Sequence, residues 1–216
     1  MKKILFSLFL ISNLTLAQST AMIAIVLEEG KESEYLAKEK NWNIAAQAMV
    51  DAGMIAQWSV WKRTPKDGDD GWAQYYVVVG NNDDKQLSQE EWAPFMQKAL
   101  GKSQRAISKM MDGSGIIAEA RPLQISWVGG TVYAGSSIKP GDKMYFHYMT
   151  QQNENFENLE LNVWKPIAEE QILEGTRKFW GLAKVDNKSE NFPGDATSRL
   201  RSIDEVVNKL SPILNV

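Results

Sequence analysis

Hydrophobic and polar positions follow two different periods along the chain, which predicts a mixture of strands and helices. Residues 22–27 form a continuous apolar run, typical of a strand that is covered on both faces. Downstream, Trp42, Ala45 and Ala46 recur at steps of three and four and are followed by Gly53. This spacing predicts an amphipathic helix that ends in a left-handed glycine.

The rest of the first half completes a six-element unit. Residues 54–62 alternate as a strand does, and residues 72–79 read as its hairpin partner. Residues 88–91 (Ser-Gln-Glu-Glu) match the capping box that starts a helix, which we expect to break near Gly101. Residues 122–128 then form a fourth strand. The predicted order is β-α-β-β-α-β.

The chain also repeats itself at an offset of 122 residues. Both halves contain the pattern Trp-x10-Gly-x4-Trp, a coincidence that is hard to obtain by chance with eight Trp residues in 216. The aligned pairs are Met22 and Met144, Trp42 and Trp164, Ala46 and Ala168, Gly53 and Gly175, Trp58 and Trp180, and Lys62 and Lys184. The second copy therefore predicts a strand at 143–150, a helix that is kinked at Pro166 or begins there, and a strand at 176–184.

The second copy is shorter than the first. After a loop at 187–194, residues 196–201 are expected as its third strand, and Ser202 to Glu205 repeats the capping-box pattern, which predicts a helix over 203–210. No residues remain for a fourth strand, so one edge of strand 143–150 should lack its partner. We expect strand 122–128 or another molecule to complete that edge. A truncated gene is the alternative.

This element order is the ferredoxin-like arrangement, with strand order 4-1-3-2 and both helices on one face. The chain resembles the dimeric α/β-barrel superfamily over about residues 21–216. That superfamily includes stress-responsive A/B-barrel proteins, YCII-like proteins, antibiotic-biosynthesis-type monooxygenases and haem-degrading monooxygenases. The resemblance implies an α+β fold in which two tandem units, the second without its last strand, pack as an intramolecular barrel around a ligand cavity.

The N-terminus indicates export. Basic residues at 2–3, an apolar run at 4–11 and a small-residue pattern at 15–17 are typical of a cleaved bacterial signal peptide, and the apolar run is too short to span a bilayer. We expect residues 1–17 to be the signal, 21–133 the first unit, 134–142 a linker and 143–216 the second unit. The sequence thus predicts a periplasmic or secreted protein with no membrane span in its mature part.

Composition narrows the chemistry. The chain has no Cys and one His, which leaves carboxylates as nearly the only protein ligands for a metal. Its net charge is −3 and its basic residues do not cluster into a stripe, so nucleic acid is not an expected partner. No catalytic triad, nucleophile elbow, P-loop or dinucleotide fingerprint is present. No catalytic or metal-binding residue is therefore predicted.

Several aromatic residues are candidates for a ligand site. His147, the only histidine, is predicted to share a strand face with Tyr145 and Met149; it could be a core residue, a proton shuttle or a haem ligand. The tryptophans could line a cavity or simply pack the core. The candidate ligand-binding set is His147, Tyr145, Met149, Trp164, Trp180, Trp58 and Trp61.

Three functions remain compatible with the sequence. The favoured one is non-catalytic binding of a small apolar or aromatic ligand between the two sheets. The alternatives are an assembly module that pairs through an open strand edge, as in a homodimer, and a cofactor-independent oxygenase or haem-handling enzyme. No cofactor is implied by the residues themselves, and haem enters only through the resemblance.

Overall fold

The computed structural model describes residues 19–65, 72–82, 87–132 and 141–192, and the backbone of residues 199–206. The expected signal peptide, most of the linker at 134–142 and the chain after residue 206 lie outside the described residues. In the first half, the elements are β1 (Ser19–Leu27), α1 (Glu32–Asp51), β2 (Ile55–Lys62), β3 (Tyr75–Asn81), α2 (Gln89–Leu100), α3 (Gln104–Met111) and β4 (Ile117–Val132). The predicted β-α-β-β-α-β order is present, with its second helix divided in two.

The second half begins with β5 (Lys143–Met149). A continuous helical segment comes next, made of α4 (Phe156–Leu159), a π-helical turn (Glu160–Trp164) and α5 (Lys165–Leu173). The chain then returns through β6 (Phe179–Lys188) and β7 (Arg199–Val206). The protein is therefore an α+β fold.

All seven described strands form one antiparallel sheet, in the order β2-β3-β1-β4-β6-β7-β5. Read from β4, the first four strands have the 4-1-3-2 order expected from the sequence. The long strand β4 joins the halves, because residues 117–126 pair with β1 and residues 123–132 pair with β6. One strand thus serves both halves of the sheet.

The sheet curls back on itself. Strands β3 and β5 are five positions apart in the sheet, which corresponds to about 24 Å in a flat sheet. The rings of Tyr76 on β3 and Phe146 on β5 are nevertheless only 6.5 Å apart, centroid to centroid. Side chains from both halves therefore meet on the concave face of the sheet.

Local sequence signals account for the helix boundaries. Ser88 caps α2, since its side chain accepts a hydrogen bond from the Glu91 amide while the Glu91 carboxylate accepts one from the Ser88 amide. Gly101 ends α2 in a left-handed conformation (φ 62°), as the predicted break requires. Pro166 lies in the first turn of α5, where its missing amide hydrogen is tolerated, and the π-helical turn precedes it. The helix disturbance expected at Pro166 takes this form.

Two expectations for the second half are wrong. Residues 203–206, predicted to start a helix, belong to β7, because Ile203 pairs with both β5 and β6 and Val206 pairs with Lys143 of β5. A local Ser-x-x-Glu signature is weaker than a complete set of strand hydrogen bonds. Strand 122–128 also does not complete the edge of β5, because β4 has its two edges occupied by β1 and β6. Within the described residues, β5 pairs with β7 alone and keeps one open edge.

The helices lie on the other face of the sheet. Helix α1 buries Tyr35 against a cluster that includes Tyr75 and Val77 of β3, and α2 packs beside it. In the second half, Ala168 of α5 packs on Trp180 and Leu182 of β6. None of the described helices is long and apolar enough to cross a membrane.

The junction of the two halves depends on a glycine. A Cβ atom on Gly181 of β6 would lie 2.5 Å from Trp127 and 2.7 Å from Phe179, whose rings pack edge to face. We expect Gly181→Ala to lower the free energy of unfolding by about 1–3 kcal/mol, measured by urea denaturation. At Gly129, where a Cβ would meet only the end of the flexible Leu161 side chain, the same substitution should cost less. Equal losses would contradict this account.

Candidate functional site

The concave face of the sheet carries one cluster built from both halves, which we call the inner cluster. Its fully buried members are Met22, Ala24, Trp61, Ala73, Val78, Leu123, Ile125, Ala183, Val185 and Phe192. Its half-buried members are Val26, Tyr76, Trp127, Met144, Phe146 and Tyr148. These half-buried side chains are mostly aromatic and remain partly accessible to solvent, so the inner cluster presents an accessible aromatic surface at the concave side of the sheet.

Hydrogen bonds hold two of its tryptophans in place. The indole nitrogen of Trp127 donates to the buried Thr20 hydroxyl at 2.9 Å, across two neighbouring strands. The indole nitrogen of Trp61 donates to the Ser59 hydroxyl at 2.8 Å. Their polar atoms are thus satisfied, and their ring faces contribute apolar surface.

Tyr148 differs from these tryptophans. Its ring packs edge to face on Phe192 at 5.6 Å, and its hydroxyl is buried without a hydrogen-bond partner among the described residues. Burial, with a smaller contribution from the nearby Tyr76, raises the pKa of Tyr148 well above its usual value. The hydroxyl is therefore neutral at physiological pH and free to donate one hydrogen bond within an apolar surface.

The residues predicted on β5 lie on the opposite face. Met144, Phe146 and Tyr148 point into the inner cluster, so Tyr145 and His147 point away from it. Both are exposed, and Tyr145 keeps 47% of its surface accessible. His147 is exposed on the face of β5 that also carries Tyr145, so it is not a buried core residue.

The four predicted tryptophans are found in different places. Trp61 belongs to the inner cluster, whereas Trp58 packs under α1 on the other face of β2. Trp180 is fully buried between β6 and α5, and Trp164 is exposed on the helical segment of the second half. Of the seven predicted residues, the structure therefore brings only Trp61 into the inner cluster, where it is buried below the accessible aromatic surface.

Sequence reasoning missed Phe146, Tyr148 and Met144, which alternate with the predicted residues on the same strand. One signal was present on β5 itself, because Lys143 and His147 make the face that they share with Tyr145 the more polar one. The repeat contains a second signal. Met144 aligns with Met22, which is fully buried in the same cluster.

A separate ionisable group lies under α1. Glu39 is 6% exposed, and its burial raises the pKa to about 7, although the Tyr35 hydroxyl one turn earlier acts in the opposite direction. Tyr35 itself stacks on Tyr75 at 4.9 Å, and Tyr75 donates a hydrogen bond to Glu32. The sequence could have indicated this group, because Glu39 is an acidic residue on the apolar side of a predicted helix. Glu39 faces the helix side of the sheet, away from the inner cluster.

No group of three or more His, Asp or Glu side chains within the described part of the chain could hold a metal ion. An open depression of about 440 Å³ lies beside α4, and its lining is mostly polar: Gln151, Glu154, Glu157, Asn158, Leu161 and Asn162. This depression adds no catalytic arrangement to the inner cluster.

No protein-family model matches this sequence, and no curated protein matches it. Among solved structures, an anthrone oxidase-like protein aligns with 91% of this chain and 76% of its own, at 11% identity and a TM-score of 0.45. A protein from Fusobacterium nucleatum, described as a candidate monooxygenase, aligns with 90% of this chain and 78% of its own, at 13% identity and a TM-score of 0.49. Likenesses this distant carry no argument about function.

The buried Glu39 predicts a pH-dependent stability. Its pKa in the folded state, about 7, exceeds the ordinary value of 4.5, so the folded state binds the proton more tightly. The resulting penalty develops as the pH rises from about 4.5 to 7 and is complete above 7, where it amounts to about 3 kcal/mol. We expect Glu39→Gln to raise the free energy of unfolding at pH 8 and to change it little at pH 4.5.

The control is Glu34→Gln on the same helix, where the carboxylate is exposed and pairs with Lys31 at 2.6 Å. That variant should show no comparable gain at pH 8. Denaturation curves at the two pH values decide the question, and a Glu39→Gln effect that does not change with pH would contradict the assignment.

Proposed function

We propose that the protein binds a small aromatic molecule that carries a polar oxygen, against the half-buried part of the inner cluster. The observation that supports this most directly is Tyr148, whose hydroxyl is buried without a partner among the described residues while Tyr76, Trp127 and Phe146 present accessible rings beside the same core. A flat ligand would cover the rings, and its oxygen would accept the Tyr148 proton.

The energetics favour such a ligand over a purely polar one. Covering apolar surface contributes about 25 cal/mol per Å², and aromatic contacts of suitable geometry contribute about 0.5–1.5 kcal/mol beyond that. A buried hydroxyl without a partner costs about 1–3 kcal/mol, which a ligand oxygen would recover in part. The site thus selects an aromatic body with one acceptor, the pattern common to small-molecule sites.

The architecture that carries this site is, in our proposal, a pair of tandem ferredoxin-like units that curl into an intramolecular barrel, the second unit being shorter. Three observations support it: Gly53 and Gly175 both have positive φ (69° and 77°), Ala46 and Ala168 are both 1% exposed, and Tyr76 meets Phe146 across the concave face. The aligned residues hold corresponding places after and within α1 and α5.

Assembly through β5 is a second candidate. Within the described residues this strand lies at the end of the sheet with one edge open, and Lys143 is the only Lys, Arg, Asp or Glu in it. Such an edge can accept a strand from another chain. Sedimentation velocity over a concentration series tests this: a single monomeric species at all concentrations would remove self-assembly through β5.

The oxygenase and haem alternatives gain no support from the inner cluster. His147 lies on the opposite face of β5 from Tyr148 and Phe146, so a haem held by His147 would bind outside the inner cluster. We assign no catalytic residue. Export through the N-terminal signal remains part of the proposal, because it rests on the sequence pattern of residues 1–17.

Two matched probes test the ligand site. The native protein should bind 2-naphthol more tightly than naphthalene in isothermal titration, because only the former offers an oxygen to Tyr148. Tyr148→Phe should weaken 2-naphthol binding about 3- to 10-fold and leave naphthalene binding unchanged, the effect expected for one neutral hydrogen bond.

Tyr145→Phe, on the other face of the same strand, is the control and should bind both probes as the native protein does. The proposal fails if neither probe binds saturably, or if Tyr145→Phe and Tyr148→Phe weaken 2-naphthol binding to the same extent.

A further inference from the structure

The helical segment of the second half carries apolar side chains on its outer side. Seven large apolar side chains are exposed in the described part of the chain, and five lie on this segment, each 40–49% exposed: Leu159, Val163, Trp164, Ile167 and Leu173. We call these five the apolar stripe. The opposite side of the segment is also apolar, since Ala168 and Ile172 are buried. A helix that is apolar on both sides is typical of one that is covered on both sides.

The first half shows how the corresponding helix face is covered. Trp42, which aligns with Trp164, packs edge to face on Trp92 of α2 at 5.4 Å. Ala45, which aligns with Ile167, is fully buried with Met96 of α2 and Ile107 of α3. This comparison rests on the tandem units of the proposed function. In the first half, the segment after the third strand covers the helix.

The chain leaves the sheet at matching places in the two halves. At the end of β3, Asn81 pairs with Ile55 at the start of β2, and Asn82 donates a hydrogen bond to the Gly53 carbonyl just after α1. On β7, Ile203 pairs with Trp180 near the start of β6, which comes closely after α5. The last described residue, Val206, therefore lies near the end of the sheet where α5 terminates.

We propose that residues 207–216 pack across the apolar stripe, in the place that α2 holds over α1. Their aliphatic residues are Val207, Leu210, Ile213, Leu214 and Val216. Pro212 disfavours a continuous helix over this segment, so its residues are matched to the stripe by their apolar type and not by a helical face. In this arrangement the aliphatic side chains of the segment lie against the aliphatic and aromatic side chains of the apolar stripe.

The charge and the length of residues 207–216 are compatible with this placement across the apolar stripe. The only charged side chain in residues 207–216 is Lys209, whereas Glu169, Glu170 and Glu174 lie on α5 or directly after it. Ten residues span up to about 33 Å when extended. The stripe from Leu173 to Leu159 is about 21 Å long, so the segment reaches most of it.

Engineered disulfides test the contact in the full chain, because the native protein contains no cysteine. We combine Ile167→Cys with either Leu210→Cys or Ile213→Cys, oxidise, and identify the cross-link by mass spectrometry of tryptic peptides. At least one pair should form an intrachain disulfide about tenfold faster than the control, which has the same tail cysteine with Ile44→Cys. Ile44 lies on α1 and is similarly exposed, at 43%.

Disulfides no faster than the control would overturn the proposal, and so would predominantly interchain disulfides, which would show that a second copy covers the stripe. Alkylation provides a second measurement that needs no cross-link. The thiol of Ile167→Cys alone should react with N-ethylmaleimide more slowly than that of Ile44→Cys, and the added change Ile213→Asp should remove this protection. Equal rates for the two single variants would also overturn it.

The outcome is separable from that of the ligand proposal. Intrachain disulfides together with absent naphthol binding would leave the stripe contact standing and remove the ligand site. The reverse result would remove only the stripe contact.

Discussion

The structure depends on the backbone pairing of β4 along both of its edges. Its sixteen residues pair with β1 over the first part and with β6 over the second, with residues 123–126 paired on both sides. Because the hydrogen-bonding groups of a strand point to its two sides, a strand in the middle of a sheet has no group left for a third partner. Strand β5 therefore stays at the end of the sheet, although the sequence had suggested that residues 122–128 would pair with its open edge.

A sheet that is continuous through β4 can bring its ends together only by curling. The approach of Tyr76 to Phe146 shows how far the curl goes, and it decides which side chains face inward. One face of every strand then points to the helices and the other to the concave side. The aromatic surface around Tyr148 is a consequence of this geometry, since no single strand contains it.

The helices of the two halves are covered to different extents. Helix α1 is covered by α2 and α3 and even buries an ionisable group, Glu39, at the expense of its charge at neutral pH. The helical segment of the second half buries one side on β6 and leaves an apolar stripe on the other. Two helices with similar sequence patterns thus present different surfaces, because the coverage of each helix depends on other elements, as α2 and α3 cover α1.

Local signals in the sequence determined most of the elements. The apolar runs, the capping box at Ser88 and the glycines at 53, 101 and 175 act within a few residues, so they predict strands and helix ends correctly. The same kind of signal at Ser202 was misleading, because strand pairing with β5 and β6 competes with it and involves residues far away in the chain. On β5 the sequence did contain a signal, because Lys143 and His147 make one face of the strand more polar, and the structure covers the other face, which carries Phe146 and Tyr148. The sequence by itself determined most of the elements, their order and the more polar face of β5. The tertiary structure decided which strands cover the apolar face of β5, because those contacts join residues that lie far apart in the chain.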